Sequence, residues 1–348
     1  MTTMFAYKSW LCVLTVLDSV QAVRFLGRVS PATKELTWSG TGVSFTFSGT
    51  SASIELEGIS GSNSAELIVD GTSTFLPSVS GSSISTPSLP NGTHTVTLLK
   101  SSEALFGSLT IGNITTTGTL SPDPPLPPHH IEIIGDSITS AYGIGAPLPC
   151  TNTAALEIIS ESYSVLAATA LNASYSIISW SGIGIIRNYA SGQVDTSPIM
   201  PERYTKYGSN DASGSYTFPA SAAPDAVVIN LGTNDFGHNN VRPRLSGTEY
   251  AAAMTKFIRF IQSSYKNDPA FFLLTSPMLG DDYPAGEMVK SVQRSALQDV
   301  AKAIAEKVYV VEWPTQGADV GCDYHPTPGT QKVGADVLVQ GIRGALGW

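Results

Sequence analysis

Charge is scarce in this sequence. Asp, Glu, Lys and Arg make up 14% of the 348 residues, where an ordinary soluble domain carries about 25%. The balance is 19 Lys plus Arg against 28 Asp plus Glu, a formal net charge of −9. A net negative, lysine-poor chain has no electrostatic footprint for a phosphate backbone, which argues against nucleic-acid binding. Long apolar runs are as rare: past the N-terminus nothing approaches the roughly 20 residues that a spanning helix needs, which excludes a multispanning membrane protein. No His-Glu-x-x-His, Cys-x-x-Cys or Gly-x-x-x-x-Gly-Lys occurs, so zinc hydrolysis and phosphate-loop chemistry lack support. A Gly-x-Ser-x-Gly elbow is also missing, against a standard α/β-hydrolase. What is there is 42% hydrophobic, which is too apolar for disorder. The length fits one large or two medium domains.

The N-terminus reads as a secretory leader over residues 1–22. Lys8 gives the positive start, residues 10–17 the apolar stretch, and Val20-Gln21-Ala22 the small side chains of a cleavage site. Asp18 fits that pattern poorly, and the alternative is an ordinary buried N-terminal helix. Secretion to the extracellular space is the expectation. Cleavage after Ala22 removes Cys12 and leaves Cys150 and Cys322. Two cysteines in an oxidising compartment often pair, and closing so long a loop removes roughly 5 kcal/mol of unfolded-state entropy. Two buried free thiols are the alternative. Sequons stand at Asn91, Asn113 and Asn172, each a glycan acceptor only if exposed in a eukaryotic secretory route.

Two regions follow different patterns. From residue 23 to 120, Val43-Ser44-Phe45-Thr46-Phe47, Ile54-Glu55-Leu56-Glu57 and Thr95-Val96-Thr97-Leu98 alternate apolar and polar groups between Gly/Ser clusters. That pattern predicts an antiparallel β-sandwich. Residues 121–130 form a proline-rich connector, since Pro122, Pro124, Pro125, Pro127 and Pro128 disfavour any ladder. From residue 131 to 348, apolar strand-like runs at 131–134, 175–180, 226–231, 271–275 and 308–311 alternate with helical spacing at 163–171, 250–261, 289–305 and 329–346. The order predicts a three-layer α/β domain on a parallel sheet. Ligands of such sheets bind at the carboxyl ends of the strands.

Those ends carry Gly135-Asp136-Ser137, Ser181-Gly182-Ile183, Gly232-Thr233-Asn234 and, before the last helix, Cys322-Asp323-Tyr324-His325. Each motif alone reads as a turn or a helix cap. Together they deliver a hydroxyl, a backbone N–H, an amide and an imidazole, the parts that acyl transfer needs. His94, in a predicted strand, His129 and His130, in the connector, and His238 read as structural or solvated.

The second region resembles an SGNH (GDSL-type) hydrolase, with Ser137, Gly182, Asn234 and His325 at its four motif positions. Arg24-Phe25-Leu26-Gly27-Arg28, Gly92-Thr93-His94-Thr95-Val96, residues 131–139 and Trp180-Ser181-Gly182-Ile183-Gly184 with Arg187-Asn188 are similar to carbohydrate esterase family 2. The resemblance implies a jelly-roll sandwich joined to an SGNH domain. It also implies a cofactor-free, metal-free esterase that deacetylates plant polysaccharides such as xylan and glucomannan. Ser137 is then the nucleophile, His325 the base, and Ser137, Gly182 and Asn234 the oxyanion hole. SGNH enzymes usually place Asp three residues before that histidine, where this chain has Cys322. Either Asp323 reaches the imidazole, or a backbone carbonyl holds it in a Ser-His dyad, the reading preferred here. Trp180 and Tyr324 are candidate sugar platforms, with core packing the alternative for each. An acetylated polysaccharide or oligosaccharide is the expected partner, and the chain is expected to act as a monomer. Rival readings are a secreted lipase or lysophospholipase of the same superfamily and a non-catalytic polysaccharide-binding protein.

Overall fold

The computed structural model describes residues 22–239 and 241–348. The leader read from Lys8 and the apolar stretch therefore lies outside the described residues. The alternating region forms ten strands: β1 (Val23–Leu26), β2 (Glu35–Leu36), β3 (Gly42–Gly49), β4 (Ala52–Gly61), β5 (Ala65–Val69), β6 (Thr72–Leu76), β7 (Ser83–Ser85), β8 (Gly92–Lys100), β9 (Gly107–Thr116) and β10 (Thr119–Ser121). One sheet runs β1-β3-β8-β5-β6 with β10 also on β3, the other β2-β9-β4-β7. Alternation sends every second side chain inward. Phe45, Phe47, Val96 and Leu98 of the first sheet thus meet Ile54, Leu56, Leu109 and Ile111 of the second in one core.

The α/β region contains β11 (His129–Gly135), α1 (Tyr163–Ala170), β12 (Ala173–Ser179), the small hairpin β13 (Ala190–Ser191) and β14 (Gln193–Val194), α2 (Met200–Arg203), β15 (Ala226–Asn230), α3 (Thr233–Phe236), α4 (Gly247–Ser264), β16 (Ala270–Leu274), α5 (Val289–Ile304), β17 (Val308–Val311) and α6 (Pro328–Leu346). The five long strands form a parallel sheet in the order β12-β11-β15-β16-β17. α1 and α6 cover one face, where Tyr163, Leu338 and Ile342 pack on Ile133, Val228 and Phe272. α4 and α5 cover the other, where Phe257, Leu297 and Val300 pack on Val227, Ile229 and Phe271. Both faces are covered, which explains why these strands are apolar runs rather than alternating ones. A Ser246–Glu249 capping box starts α4, and the Thr327 side chain followed by Pro328 starts α6.

β11 begins two residues before the run read from the sequence and takes His129 and His130 out of the connector. The His130 N–H donates to Asp225 and its ring meets Ser174, bonds that extend the strand past the prolines. Among the described residues no helix is long and apolar enough to cross a membrane.

The sandwich and the α/β domain share buried contacts. Trp38 is part of the α/β core. The Arg28 guanidinium pairs with Glu132 of β11 at 2.8 Å, both side chains being almost wholly buried. Glu132 also accepts the hydroxyls of Tyr204 at 2.5 Å and Tyr265 at 3.0 Å.

Candidate active site

Because β11 is flanked by β12 on one side and β15 on the other, the chain diverges at its carboxyl end, where a crevice opens. Gly135 closes the strand there: a Cβ would lie 1.9 Å from Thr139 Oγ1, so the tight turn into Asp136 and Ser137 requires glycine. The turn is pinned by Asp136, whose carboxylate accepts the Ile138 N–H at 3.0 Å. Burial pushes the Asp136 carboxyl up to about 7 against that bond.

His325 reaches the same spot from the loop before α6. Its Nε2 lies 2.8 Å from Ser137 Oγ, across 188 residues of chain. Its Nδ1 faces the carbonyl of Asp323 at 3.1 Å. The Asp323 carboxylate turns elsewhere, accepting the Tyr142 hydroxyl at 2.8 Å. Asp323 and Tyr324 both adopt positive φ, 48° and 65°. These two left-handed residues bend the chain so that the carbonyl rather than the side chain meets the ring. Burial pulls the imidazole down to about 4, so at neutral pH it is uncharged and able to accept a proton.

Ser137 N–H and Gly182 N–H have no hydrogen-bond partner among the described residues. Gly182 sits at φ +79°, a conformation that suits glycine, and its N–H follows the Trp180-Ser181 turn after β12. The Asn234 side-chain amide donates to the Ile183 carbonyl at 3.1 Å and to Asp136 at 3.3 Å. Asp235 next to it accepts the N–H groups of Ile185, Ile186 and Arg187 and so fixes the loop behind Gly182.

Other residues singled out from the sequence fall as follows. Cys150 and Cys322 are joined in a disulfide with Cα atoms 4.9 Å apart, tying the segment after β11 to the His325 loop. Trp180 gives a ring face to the Arg203 guanidinium at 3.9 Å and packs edge-on against Trp38. Tyr324 is 65% exposed. Asn91, Asn113 and Asn172 are all exposed, and Asn113 donates to Glu55 at 3.0 Å. His94 pairs with Asp70 at 2.7 Å and His238 with Glu287 at 3.0 Å. Among the described residues no three His, Cys, Asp or Glu side chains gather into a metal-binding group.

Sequence reading missed Tyr142 and Glu103. The Tyr142 ring stacks on His325 with centroids 4.0 Å apart while its hydroxyl holds Asp323. Glu103, from the sandwich, accepts both the N–H and the hydroxyl of Ser181. Neither carried a local signal, since both contacts join distant parts of the chain.

Residues 25–125 match the family described as carbohydrate esterase 2 N-terminal, and residues 131–338 the GDSL-like lipase/acylhydrolase family. The structure superposes on a carbohydrate esterase family 2 enzyme plus carbohydrate binding domain from Corynascus thermopiles (Myceliophthora fergusii). The TM-score is 0.91 at 53% identity, over 94% of this chain and 100% of that one. Cellulase/esterase CelE of Acetivibrio thermocellus is 32% identical over 92% of this chain, which spans 37% of that larger relative. An acetylxylan esterase / glucomannan deacetylase of Cellvibrio japonicus is 27% identical over 90% of this chain and 88% of its own length.

Proposed function

The chain belongs to the GDSL-type acylhydrolases of carbohydrate esterase family 2, and we propose that it is a secreted serine esterase removing O-acetyl groups from plant cell-wall polysaccharides. Xylan and glucomannan are the substrate classes, on the likeness to the acetylxylan esterase / glucomannan deacetylase. The observation that carries the reading is the 2.8 Å hydrogen bond between Ser137 Oγ and a neutral His325, in front of two unpartnered N–H groups.

In the reaction so proposed, Ser137 Oγ attacks the acetyl carbonyl carbon as its proton passes to His325 Nε2. The Ser137 and Gly182 N–H groups bind the developing oxyanion. Asn234 completes the hole by turning its amide from the long bond to Asp136. Removing one such donor typically costs about 10²–10³ in rate. The C–O bond to the sugar breaks, the imidazolium returns its proton to the leaving hydroxyl, and water then hydrolyses the acetyl-serine by the same route. The Asp323 carbonyl keeps the Nδ1 proton in place, making the machinery a Ser-His dyad. Tyr324 offers the exposed ring on which a sugar could stack. The leader-like N-terminus, the Cys150–Cys322 disulfide and the exposed sequons support export, glycosylation and an oxidising destination. The enzyme so read is a monomer without metal or organic cofactor.

Acetate release from acetylated xylan and glucomannan, compared with hydrolysis of p-nitrophenyl octanoate, tests the substrate class. The deacetylase releases acetate and turns over the octanoate poorly. A clear preference for octanoate would make the chain a lipase instead. A large apolar cavity lined by Ile185, Ile199, Phe257 and Phe260 touches none of Ser137, Gly182, Asn234 or His325, so it is not an acyl groove for this serine.

A further inference from the structure

We infer that the sandwich domain is a working part of the active site: Glu103 is a positioning residue that sets the oxyanion donor of Gly182. The inference rests on the esterase reading and deepens it. Glu103 lies between β8 and β9, fully buried although it belongs to the other domain. Its Oε2 accepts the Ser181 N–H at 2.7 Å and its Oε1 the Ser181 hydroxyl at 2.5 Å. The two bonds grip one residue bidentately, and that residue is covalently followed by the Gly182 N–H. A carboxylate held this way fixes both the direction and the depth of the next peptide. A misplacement of about 1 Å at such a site costs on the order of 10²-fold in rate.

Glu103 is itself held from several sides. Its N–H donates to Glu157 Oε2 at 2.6 Å, and its carbonyl accepts the Lys100 ammonium at 3.1 Å. Glu157 Oε1 accepts the Asn152 amide at 2.8 Å, and Asn152 in turn accepts the Gly143 N–H at 2.9 Å. The Asn152 N–H reaches the Asp323 carboxylate at 3.4 Å. One connected set of polar groups therefore runs from the Ser181 turn, through the sandwich loop, to the segment that carries His325. Burial raises both glutamates above the ordinary carboxylate range and pulls Lys100 down to about 7, so this set is a demanding one to bury. A loop that merely joined two strands of the sandwich has no need of it. The sandwich supplies the rigid backing for a turn that glycine leaves free to move.

The test compares Glu103→Ala, Glu103→Gln, Ser181→Ala and Ser137→Ala in the full chain, reading kcat and KM on p-nitrophenyl acetate and Ki for phenylboronic acid. That acid forms a tetrahedral adduct on a nucleophilic serine and so reads the oxyanion hole directly. Glu103→Ala should lower kcat about 30-fold or more with KM within about twofold, and raise Ki by a like factor. Glu103→Gln, whose amide oxygen still accepts the Ser181 N–H, should recover most of the loss. Ser181→Ala, which removes only the hydroxyl bond, should lower kcat about three- to tenfold. If Glu103→Ala does not fold, Ser181→Ala decides. Wild-type kcat and Ki in Ser181→Ala and, where it folds, in Glu103→Ala would overturn the inference, as would a raised KM at unchanged kcat. Activity surviving in Ser137→Ala would instead bring down the esterase reading, and this inference with it.

Discussion

The sandwich and the α/β domain both bury charge where they meet, the latter through Glu132 and Glu157, but only the α/β domain also buries it at the strand ends. In the α/β domain, Asp136 and Asp235 are buried at strand ends and hold turns around the reacting groups. In the sandwich, Arg28, Glu66 and Glu103 are buried and all three bond across to the other domain: to Glu132, to the Ser160 N–H and to Ser181. A domain built only to bind sugar has no reason to concentrate buried charge on the side that faces its neighbour, because an unpaired buried charge is strongly destabilising. Under the proposed esterase reading, the contrast gives the reacting groups to one half of the chain and their support to the other.

That division is broken most directly on the catalytic side. Ser137→Ala should lower kcat for acetate release at least about 10⁴-fold, with the thermal midpoint unchanged within a degree or two. A smaller loss would put the nucleophile elsewhere. On the supporting side, Arg28→Ala leaves Glu132 buried without its cation and should cost about 3–5 kcal/mol in denaturant unfolding. A change below about 1 kcal/mol would mean that the domains do not depend on this pair.

Smaller effects sharpen the picture around His325. Asp323→Asn keeps the backbone carbonyl at Nδ1, so kcat should fall less than about tenfold. A loss near the 10⁴-fold typical of a true triad acid would restore the carboxylate to that role. The acid limb of kcat/KM tests the environment of the ring. The base must be neutral, and burial pulls its value down from 6.5 to about 4. Activity should therefore persist as pH falls through 6 and fail only as the ring takes up its proton near 4. A limb at 6.5 would mean an exposed imidazole.

Much of this was legible in the sequence, and for a physical reason. Buried parallel strands are apolar on both faces, so they stand out, and the crevice lies at their carboxyl ends. Ser137, Gly182 and Asn234 could be picked out because each follows such a run, and His325 because it stands just before the last helix. The alternation of β3, β4 and β8 likewise predicts a half-buried sheet. What stayed hidden depends on long-range contact. Glu103 is one polar residue in a Ser-rich loop until Ser181, 78 positions on, comes to meet it. Tyr142 shows its place only when the Asp323 loop folds back over 181 residues. The choice between carbonyl and carboxylate at Nδ1 turns on the two left-handed residues before His325, and spacing alone does not reveal them.

The central claim is that one serine, activated by His325, does the chemistry. Treating the active protein with diethyl p-nitrophenyl phosphate and mapping the added mass by peptide sequencing tests it. The account predicts stoichiometric phosphorylation of Ser137 in parallel with loss of esterase activity, and none in a His325→Ala variant over the same time. Inactivation with the adduct on another residue, or activity that outlasts full labelling of Ser137, would contradict it.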